Sequence, residues 1–198
     1  TDTHKLVRYT NSRIQTGVED SFIIPTKPAN ILKSVLVKAE GDVKVSTDAK
    51  GAIFESSSFT LSCRFVNGTY PKYNSVIPQN NPYKLVVDRV SLLNAIRRVS
   101  VFANASGLVI FQLKENEIYM KAEDREFSTM AEERMSCDYQ GEEMLIGSNN
   151  TKMIDVLNNI NSDTLVVTLS GPSRAGVFLP ETQEDGEEML VLLMPMMV

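Results

Sequence analysis

The residues of this chain that could do chemistry are few, and their spacing assembles no catalytic centre. His4, the single histidine, lies two positions after Asp2, which superficially suggests a general base with an orienting carboxylate. No glycine-rich phosphate loop or nucleophile elbow is present, and no serine or cysteine motif accompanies the pair. We therefore predict that the protein is not an enzyme and has no catalytic residues.

The residue types that bind metals are also too scattered to form a site. Cys63 and Cys137 stand far apart in alternating segments, as small buried hydrophobes in a reducing compartment do, and with one histidine they complete no zinc pattern. The acids at 123–143 lack the spaced aspartates of a calcium loop and are typical of a solvated face or an interface. We predict no metal and no cofactor.

The sequence predicts that short β-strands make up most of the chain and position any functional site. Apolar and polar residues alternate in seven segments, which Gly, Asn, Asp and Ser separate. These segments are residues 43–47, 52–56, 59–66, 108–114, 117–123, 163–170 and 188–196.

Three further segments have helical spacing: residues 27–38, 88–99 and 150–160. Their candidate N-caps are Thr26, Asp88 and either Ser148 or Asn149. A shift of 122 residues aligns the first and third helices and the apolar residues before them, 22–24 and 144–146. We interpret this as a repeated strand–helix–strand unit of an α+β protein, with chance similarity as the alternative.

Composition and charge bound the class of protein. Of 198 residues, 42% are hydrophobic and 23% charged, and no apolar run approaches the roughly 20 residues of a membrane helix. We expect a cytoplasmic protein. Its net charge of −5 argues against a surface that simply coats nucleic acid, but acids are concentrated in 115–143 and 181–188, which leaves the remainder net positive.

The chain ends in a run without charge, residues 192–198, directly after the acidic run 181–188. A frayed apolar terminus would expose hydrophobic surface, so these residues must form a core strand, a binding surface, or both. Methionines on either side of a proline favour an adaptable binding surface. The chain begins at Thr1 with residues that read as mid-domain sequence, so we expect a fragment.

Several of these segments resemble the bacterial DNA sliding clamp, the beta subunit of DNA polymerase III. The resemblance covers essentially the whole chain, as the later part of the second clamp domain and all of the third. It is carried by residues 1–6 (TDTHKL), 65–78 (FVNGTYPKYNSVIP), 87–100 (VDRVSLLNAIRRVS), 144–160 (MLIGSNNTKMIDVLNNI) and 191–196 (VLLMPM).

The resemblance implies an α+β DNA-clamp fold, each domain with two helices packed on small antiparallel sheets. The segment 70–82, with three prolines and three asparagines, is the natural boundary. We expect a truncated second domain at 1–76 and a complete third domain at 77–198. The family function is that of a processivity factor: two protomers close a ring around duplex DNA, with helices inside and sheets outside.

The resemblance also assigns residues. A hydrophobic pocket receives short motifs from the polymerase III catalytic subunit, the clamp loader and other clamp-binding proteins, and its matching positions are Thr1, His4, Lys5, Leu6, Pro71, Val76, Leu192, Leu193, Met194, Pro195 and Met196. Relatives often carry arginine where this chain has Ser75 and Met197, and glycine where it has Thr3. The expected DNA-facing cations are Lys27, Lys33, Arg97, Arg98 and Lys152.

The family's dimer contact matches Val101, Phe102 and the acidic region 123–133, which would meet the first domain of a partner protomer. We expect a homodimer at full length, and this chain alone to be a monomer that binds peptides but cannot close a ring. Two alternatives remain open from the residues themselves: a β-rich structural or adhesion module without a nucleic-acid role, and an enzyme with an unrecognised site around His4.

Overall fold

The computed structural model describes residues 1–15, 17 and 19–198, which form three α-helices and thirteen β-strands. These residues divide into two compact units, and each is described separately below. The first combines Thr1–Gln15 with Tyr73–Val198, and the second is Thr16–Lys72. Among the described helices, none is long and apolar enough to cross a membrane.

The helices are α1 (Thr26–Leu36), α2 (Arg89–Ser100) and α3 (Asn150–Asn159). The strands of the smaller unit are β2 (Lys44–Thr47), β3 (Gly51–Glu55) and β4 (Thr60–Arg64). The strands of the larger unit are β1 (Lys5–Asn11), β5 (Tyr83–Asp88), β6 (Leu108–Lys114), β7 (Glu117–Asp124), β8 (Thr129–Ser136), β9 (Asp138–Gln140), β10 (Met144–Asn149), β11 (Thr164–Leu169), β12 (Gly176–Pro180) and β13 (Glu187–Leu193).

The larger unit has two antiparallel sheets and two helices around one main core. Its six-stranded sheet has the order β1-β13-β12-β11-β5-β9, and its four-stranded sheet has the order β10-β6-β7-β8. Helices α2 and α3 pack on each other, and each contributes its apolar stripe, such as Ile96 and Leu157, to the core. Burial of apolar surface is the largest favourable contribution to the free energy of folding. The core that the helices share with both sheets therefore holds these elements together.

The six-stranded sheet is apolar on both faces at the end where β13 lies. Val191 and Leu193 belong to the main core, whereas Leu190 and Leu192 point to the opposite face, as the period of two requires. On that opposite face lies a second hydrophobic cluster, here called the tail cluster. Its buried members are Leu6, Ile77, Ala175, Val177, Leu190 and Leu192.

The smaller unit is built from α1 and the three-stranded sheet β2-β3-β4. Its core is small, with Ala52, Phe54 and Cys63 buried and partly buried hydrophobic residues packed around them. No residue of α1 is buried in the described structure, although the helix has a distinct apolar face. Phe22 and Phe65 stack with ring centroids 4.7 Å apart and add to this core.

The α+β class and all three helices are confirmed, and the predicted caps hold for two of them. Asp88 accepts a hydrogen bond of 2.7 Å from the Ser91 amide, and Asn149 accepts one of 3.0 Å from the Lys152 amide. The prediction for Thr26 was wrong: Pro25 is the N-cap residue of α1 and Thr26 is already helical, because Pro25 takes the extended conformation that precedes a helix.

Other expectations differ from the structure. Residues 22–24 form no strand, whereas their counterparts 144–146 lie in β10, so the two parts of the apparent repeat differ there. The predicted boundary at 76–77 falls four residues after the division at Lys72, and β1 joins the larger unit because it pairs along its whole length with β13. The division into clamp domains stays a prediction.

The caps allow a direct test of helix stability. We expect Asp88→Ala to lower the free energy of unfolding by about 1 kcal/mol, because the Ser91 amide loses its acceptor at the start of α2. Thr26→Ala, which removes no cap hydrogen bond, should change it by much less. Urea denaturation followed by circular dichroism measures both. Equal losses would show that the side-chain cap contributes nothing specific.

Candidate peptide-binding site

The two ends of the chain lie side by side in the six-stranded sheet. Strand β1 pairs antiparallel with β13, with Leu6 opposite Leu192 and Lys5 opposite Leu193. The contact continues past the ladder, since the Met194 amide donates a 2.8 Å hydrogen bond to the His4 carbonyl oxygen. Residues 1–5 are here called the arm and residues 194–198 the tail, and this hydrogen bond joins them at His4 and Met194.

The tail also reaches the four-stranded sheet. The Met196 amide donates a 2.9 Å hydrogen bond to the carbonyl oxygen of Gly147 in β10. A Cβ atom at position 147 would lie 2.7 Å from the Met196 carbonyl oxygen, so the close approach depends on glycine. The tail is thus held at His4 on one side and at Gly147 on the other, with Pro195 between them.

The tail cluster supplies an apolar floor beside these backbone contacts. Leu6 and Leu192 are buried in it, and Tyr73 packs against it. Two predicted pocket residues of the same unit are large, apolar and exposed: Val76 at 58% and Met194 at 39%. In the chain Val76 directly precedes Ile77 of the cluster and Met194 follows Leu192 by two residues, so both adjoin it in sequence, and an apolar side chain of a partner could cover them.

Not all predicted pocket residues lie together. Leu193 belongs to the main core and not to the cluster of Leu6 and Leu192, so its part in the pocket stays a prediction. Leu193 lines an apolar cavity of about 60 Å³ on the main-core side, and Met194, which is exposed, and Pro195 line the same cavity where the strand ends. Pro71 belongs to the smaller unit, so its part in the pocket stays a prediction.

The arm is fixed by Asp2. One oxygen of this carboxylate accepts hydrogen bonds from the amides of His4 (3.1 Å) and Lys5 (2.7 Å), and the other accepts one from the Lys152 ammonium of α3 (3.1 Å). Partial burial alone would raise the pKa of Asp2. The Lys152 ammonium and the two amides outweigh it and lower the pKa to about 2. Lys5 makes a second ion pair, with Asp155 of the same helix.

Thr3, where relatives often have glycine, has a left-handed backbone with φ of 73°. A β-branched residue is strained in this region because its Cβ crowds the backbone. The side chain makes one local contact, in which Thr3 Oγ1 lies 3.2 Å from His4 Nδ1. The arm therefore keeps the shape that glycine would allow, at a conformational cost.

The predicted DNA-facing cations differ in the interactions that their side chains make. Arg98 forms a bidentate ion pair with Glu133, and Arg97 donates to the side chain of Asn158 at 3.0 Å. Lys152 faces Asp2, so a DNA contact from it would have to replace an existing ion pair. In the smaller unit, Lys27 and Lys33 are exposed on α1.

The predicted dimer residues are on the surface of the larger unit. Val101 is 78% exposed and Phe102 39% exposed, immediately after α2. In the acidic region, β8 is an edge strand of the four-stranded sheet. Part of its negative charge is compensated, since Glu123 contacts Lys121 and Arg125, which lower the pKa of its carboxyl.

Comparison with known proteins agrees with this geometry. Residues 74–197 match the family model for the DNA polymerase III beta subunit, C-terminal domain. The chain belongs to this family. It is 29% identical over 196 residues to the beta sliding clamp of Pseudomonas putida, covering 98% of this chain and 53% of that protein. The chain thus spans about half the length of the curated relatives it matches.

Solved clamp structures share the fold over the whole chain. The sliding clamp (DNA polymerase III subunit beta) of Bartonella birtlesii, bound to griselimycin, superposes with a TM-score of 0.92 at 28% identity, covering 100% of this chain and 53% of that one. The clamp of Pseudomonas aeruginosa, also bound to griselimycin, gives a TM-score of 0.91 at 24% identity, with the same coverage.

Sequence reasoning missed some residues that build the site. Ala175 and Val177, on the tail cluster, lie in or beside β12, a strand that was not predicted because most of it is buried on both faces and shows no alternation. Asp2 was noticed only as a neighbour of His4, and Asp155 was assigned no role. Each of their ion pairs joins residues 150 positions apart, so no local sequence pattern predicts it.

The strain at Thr3 leads to a stability prediction. We expect Thr3→Gly to raise the free energy of unfolding by up to about 1 kcal/mol, because glycine adopts positive φ without crowding. Thr10→Gly, in the extended strand β1, should lower it by about 0.5–1 kcal/mol. Urea denaturation compares the two variants. If Thr3→Gly lowered the free energy of unfolding as Thr10→Gly does, the backbone strain assigned to Thr3 would be contradicted.

The position of Asp2 leads to a titration prediction. Lys152→Met should raise the pKa of Asp2 from about 2 toward its ordinary value of 3.8, because the ammonium partner is lost. In the unaltered chain the folded-state pKa is lower than the unfolded one, so ionised Asp2 stabilises the fold above about pH 4. That contribution is lost as the pH falls toward 2.

Carboxyl carbon NMR during a pH titration measures this change. The internal control is Asp48, whose pKa is lowered by the Lys50 and Gly51 amides and should be the same in both proteins. An unchanged Asp2 titration in Lys152→Met would contradict the ion pair.

Proposed function

We propose that this chain is part of a processivity factor of bacterial DNA replication, which tethers its partners to duplex DNA and catalyses no reaction itself. The full-length protein would form a homodimeric ring that encircles duplex DNA without reading its sequence. Partners would be the polymerase III catalytic subunit, the clamp loader and other proteins with a clamp-binding motif. Such a role belongs in the cytoplasm.

The observation that carries this proposal is the pairing of the arm with the tail. It gathers residues from both ends of the chain, Leu6 and Leu192, in one apolar cluster. Met194 and Val76, which adjoin members of that cluster in the sequence, are exposed. An apolar anchor of a partner peptide would bury its surface there, with Met194 adapting to its shape. Without the pairing these residues would have no reason to lie together.

A protein that slides along DNA requires a weak electrostatic attraction to it, and the positive charge of the helices is consistent with such an attraction. Helix α1 carries Lys27 and Lys33 and no acid, and α2 carries Arg97 and Arg98 in its last turn. In each unit these cations would approach phosphates without base contacts. The ion pairs of Arg98 and Lys152 would keep that attraction modest.

We further propose that Val101, Phe102 and the edge strand β8 contact a second protomer at full length. Exposed apolar residues beside an unpaired strand edge are suited to an interface. Division into a second clamp domain at 1–76 and a third at 77–198 belongs to the same proposal. Membership in the clamp family favours it over a structural module without a nucleic-acid role.

The pocket is tested with griselimycin, to which two relatives were bound. Met194→Ala and Leu6→Ala should each weaken its binding by about 1–3 kcal/mol, because each removes apolar surface from the proposed contact. The matched control is Val7→Ala: Val7 neighbours Leu6 on β1 but is 53% exposed on the opposite face.

Isothermal titration calorimetry measures the binding, and circular dichroism confirms that each variant is folded. Met194 is exposed, so its substitution tests the pocket even if Leu6→Ala is unstable. Failure of the unaltered chain to bind, or equal loss in Val7→Ala, would refute the proposed pocket.

A further inference from the structure

We infer that Asp2 and Lys152 act as a latch, which sets the position of Met194 and thereby the affinity of the proposed pocket. Neither residue belongs to the tail cluster, so the effect would be indirect. The inference rests on the proposed function, because it concerns the binding strength of that same surface. Asp2 and Lys152 are positioning residues in this scheme.

The first step links helix α3 to the arm. The Lys152 ammonium donates to one carboxylate oxygen of Asp2, and Lys5 pairs with Asp155 one turn further along the helix. Residues three apart lie on the same face of a helix, so the two pairs fasten one short segment at two points. All four side chains are partly exposed, so the pairs hold the geometry but contribute little to overall stability.

The second step links Asp2 to the backbone of His4. The other carboxylate oxygen accepts the His4 and Lys5 amides, and the Asp2 amide donates to the Lys5 carbonyl oxygen at 3.1 Å. This closes a tight turn around Thr3, whose positive φ is unfavourable for a free chain. The hydrogen bonds of Asp2 therefore stabilise the turn, and the ion pair with Lys152 fixes the position of the Asp2 side chain.

The third step links the turn to the tail. The carbonyl oxygen of His4 accepts the Met194 amide, so the direction of that carbonyl fixes where the first tail residue lies. From there the tail runs to its second support at Gly147. A loosened turn would leave Met194 held from one side only, and a partner would have to order it on binding.

The experiment compares griselimycin binding in Asp2→Asn, Lys152→Met and the double variant. Each single variant should weaken binding about three- to tenfold, and the double variant no more than either one, because both break the same link. Lys152→Arg keeps a cation opposite Asp2 and should retain binding. Asp48→Asn is the matched control, since Asp48 accepts the Lys50 and Gly51 amides in a similar turn between β2 and β3.

A second measurement follows Met194 directly. With carbon-labelled methionine methyl groups, the Met194 resonance should shift or broaden in Asp2→Asn and Lys152→Met, whereas that of Met130, exposed on β8, should not. Lys152→Met leaves the turn amides of Asp2 intact, so it carries the test if Asp2→Asn fails to fold.

The outcomes separate the two proposals. If the unaltered chain binds griselimycin and the latch variants bind equally well, the latch is refuted and the pocket stands. If the unaltered chain does not bind, the pocket is refuted together with the effect of the latch on affinity, and the methyl spectra decide whether the latch positions Met194. An unshifted Met194 resonance in both single variants then overturns the latch, and a shifted one supports it.

Discussion

Antiparallel pairing between the first strand and the last strand is the interaction on which the rest of this structure depends. It places β1 at one edge of the six-stranded sheet and aligns Leu6 with Leu192. The ladder is reinforced by charges, because Arg8 and Arg13 of the first strand region pair with Glu188 and Glu187 of the acidic segment. Part of the charge of that segment is therefore compensated by the strand region it pairs with.

The same pairing separates two kinds of surface. On one face the sheet closes the main core with α2, α3 and the four-stranded sheet, where residues such as Ile96 and Leu157 are fully buried. On the other face it carries the tail cluster, which is smaller and borders exposed residues. A rigid core behind a more adaptable surface is a good arrangement for a site that must accept several apolar peptides.

Local patterns in the sequence predicted the helices well and the strands unevenly. Strand β6 was predicted at its observed bounds, because its residues are mostly aliphatic or aromatic and turn residues flank it. Asp88 and Asn149 are residue types that favour N-caps, and both cap their helices. Strand β8 was missed because its exposed edge position selects charged residues, which look like a solvated loop. Strand β12 was missed for the opposite reason, since burial on both faces removes the alternation.

The site was less predictable than the fold, and the family resemblance supplied most of it. It gave the tail and arm residues together, but it could not say that Leu193 faces the main core, which depends on the register of β13. Nor could it give the ion pairs of Asp2 and Lys5 with α3, because these join residues 150 positions apart. Such contacts depend on tertiary packing, so the spacing of residues in the sequence does not predict them.

The strict alternation of β13 also limits how this protein can evolve. Leu190 and Leu192 serve one cluster while Val191 and Leu193 serve the other, so conservative exchanges among aliphatic residues are compatible with both. Insertion or deletion of a single residue inside the strand would send every following side chain to the wrong face. The identity of these residues is thus free to drift between lineages, whereas the length of the segment is constrained.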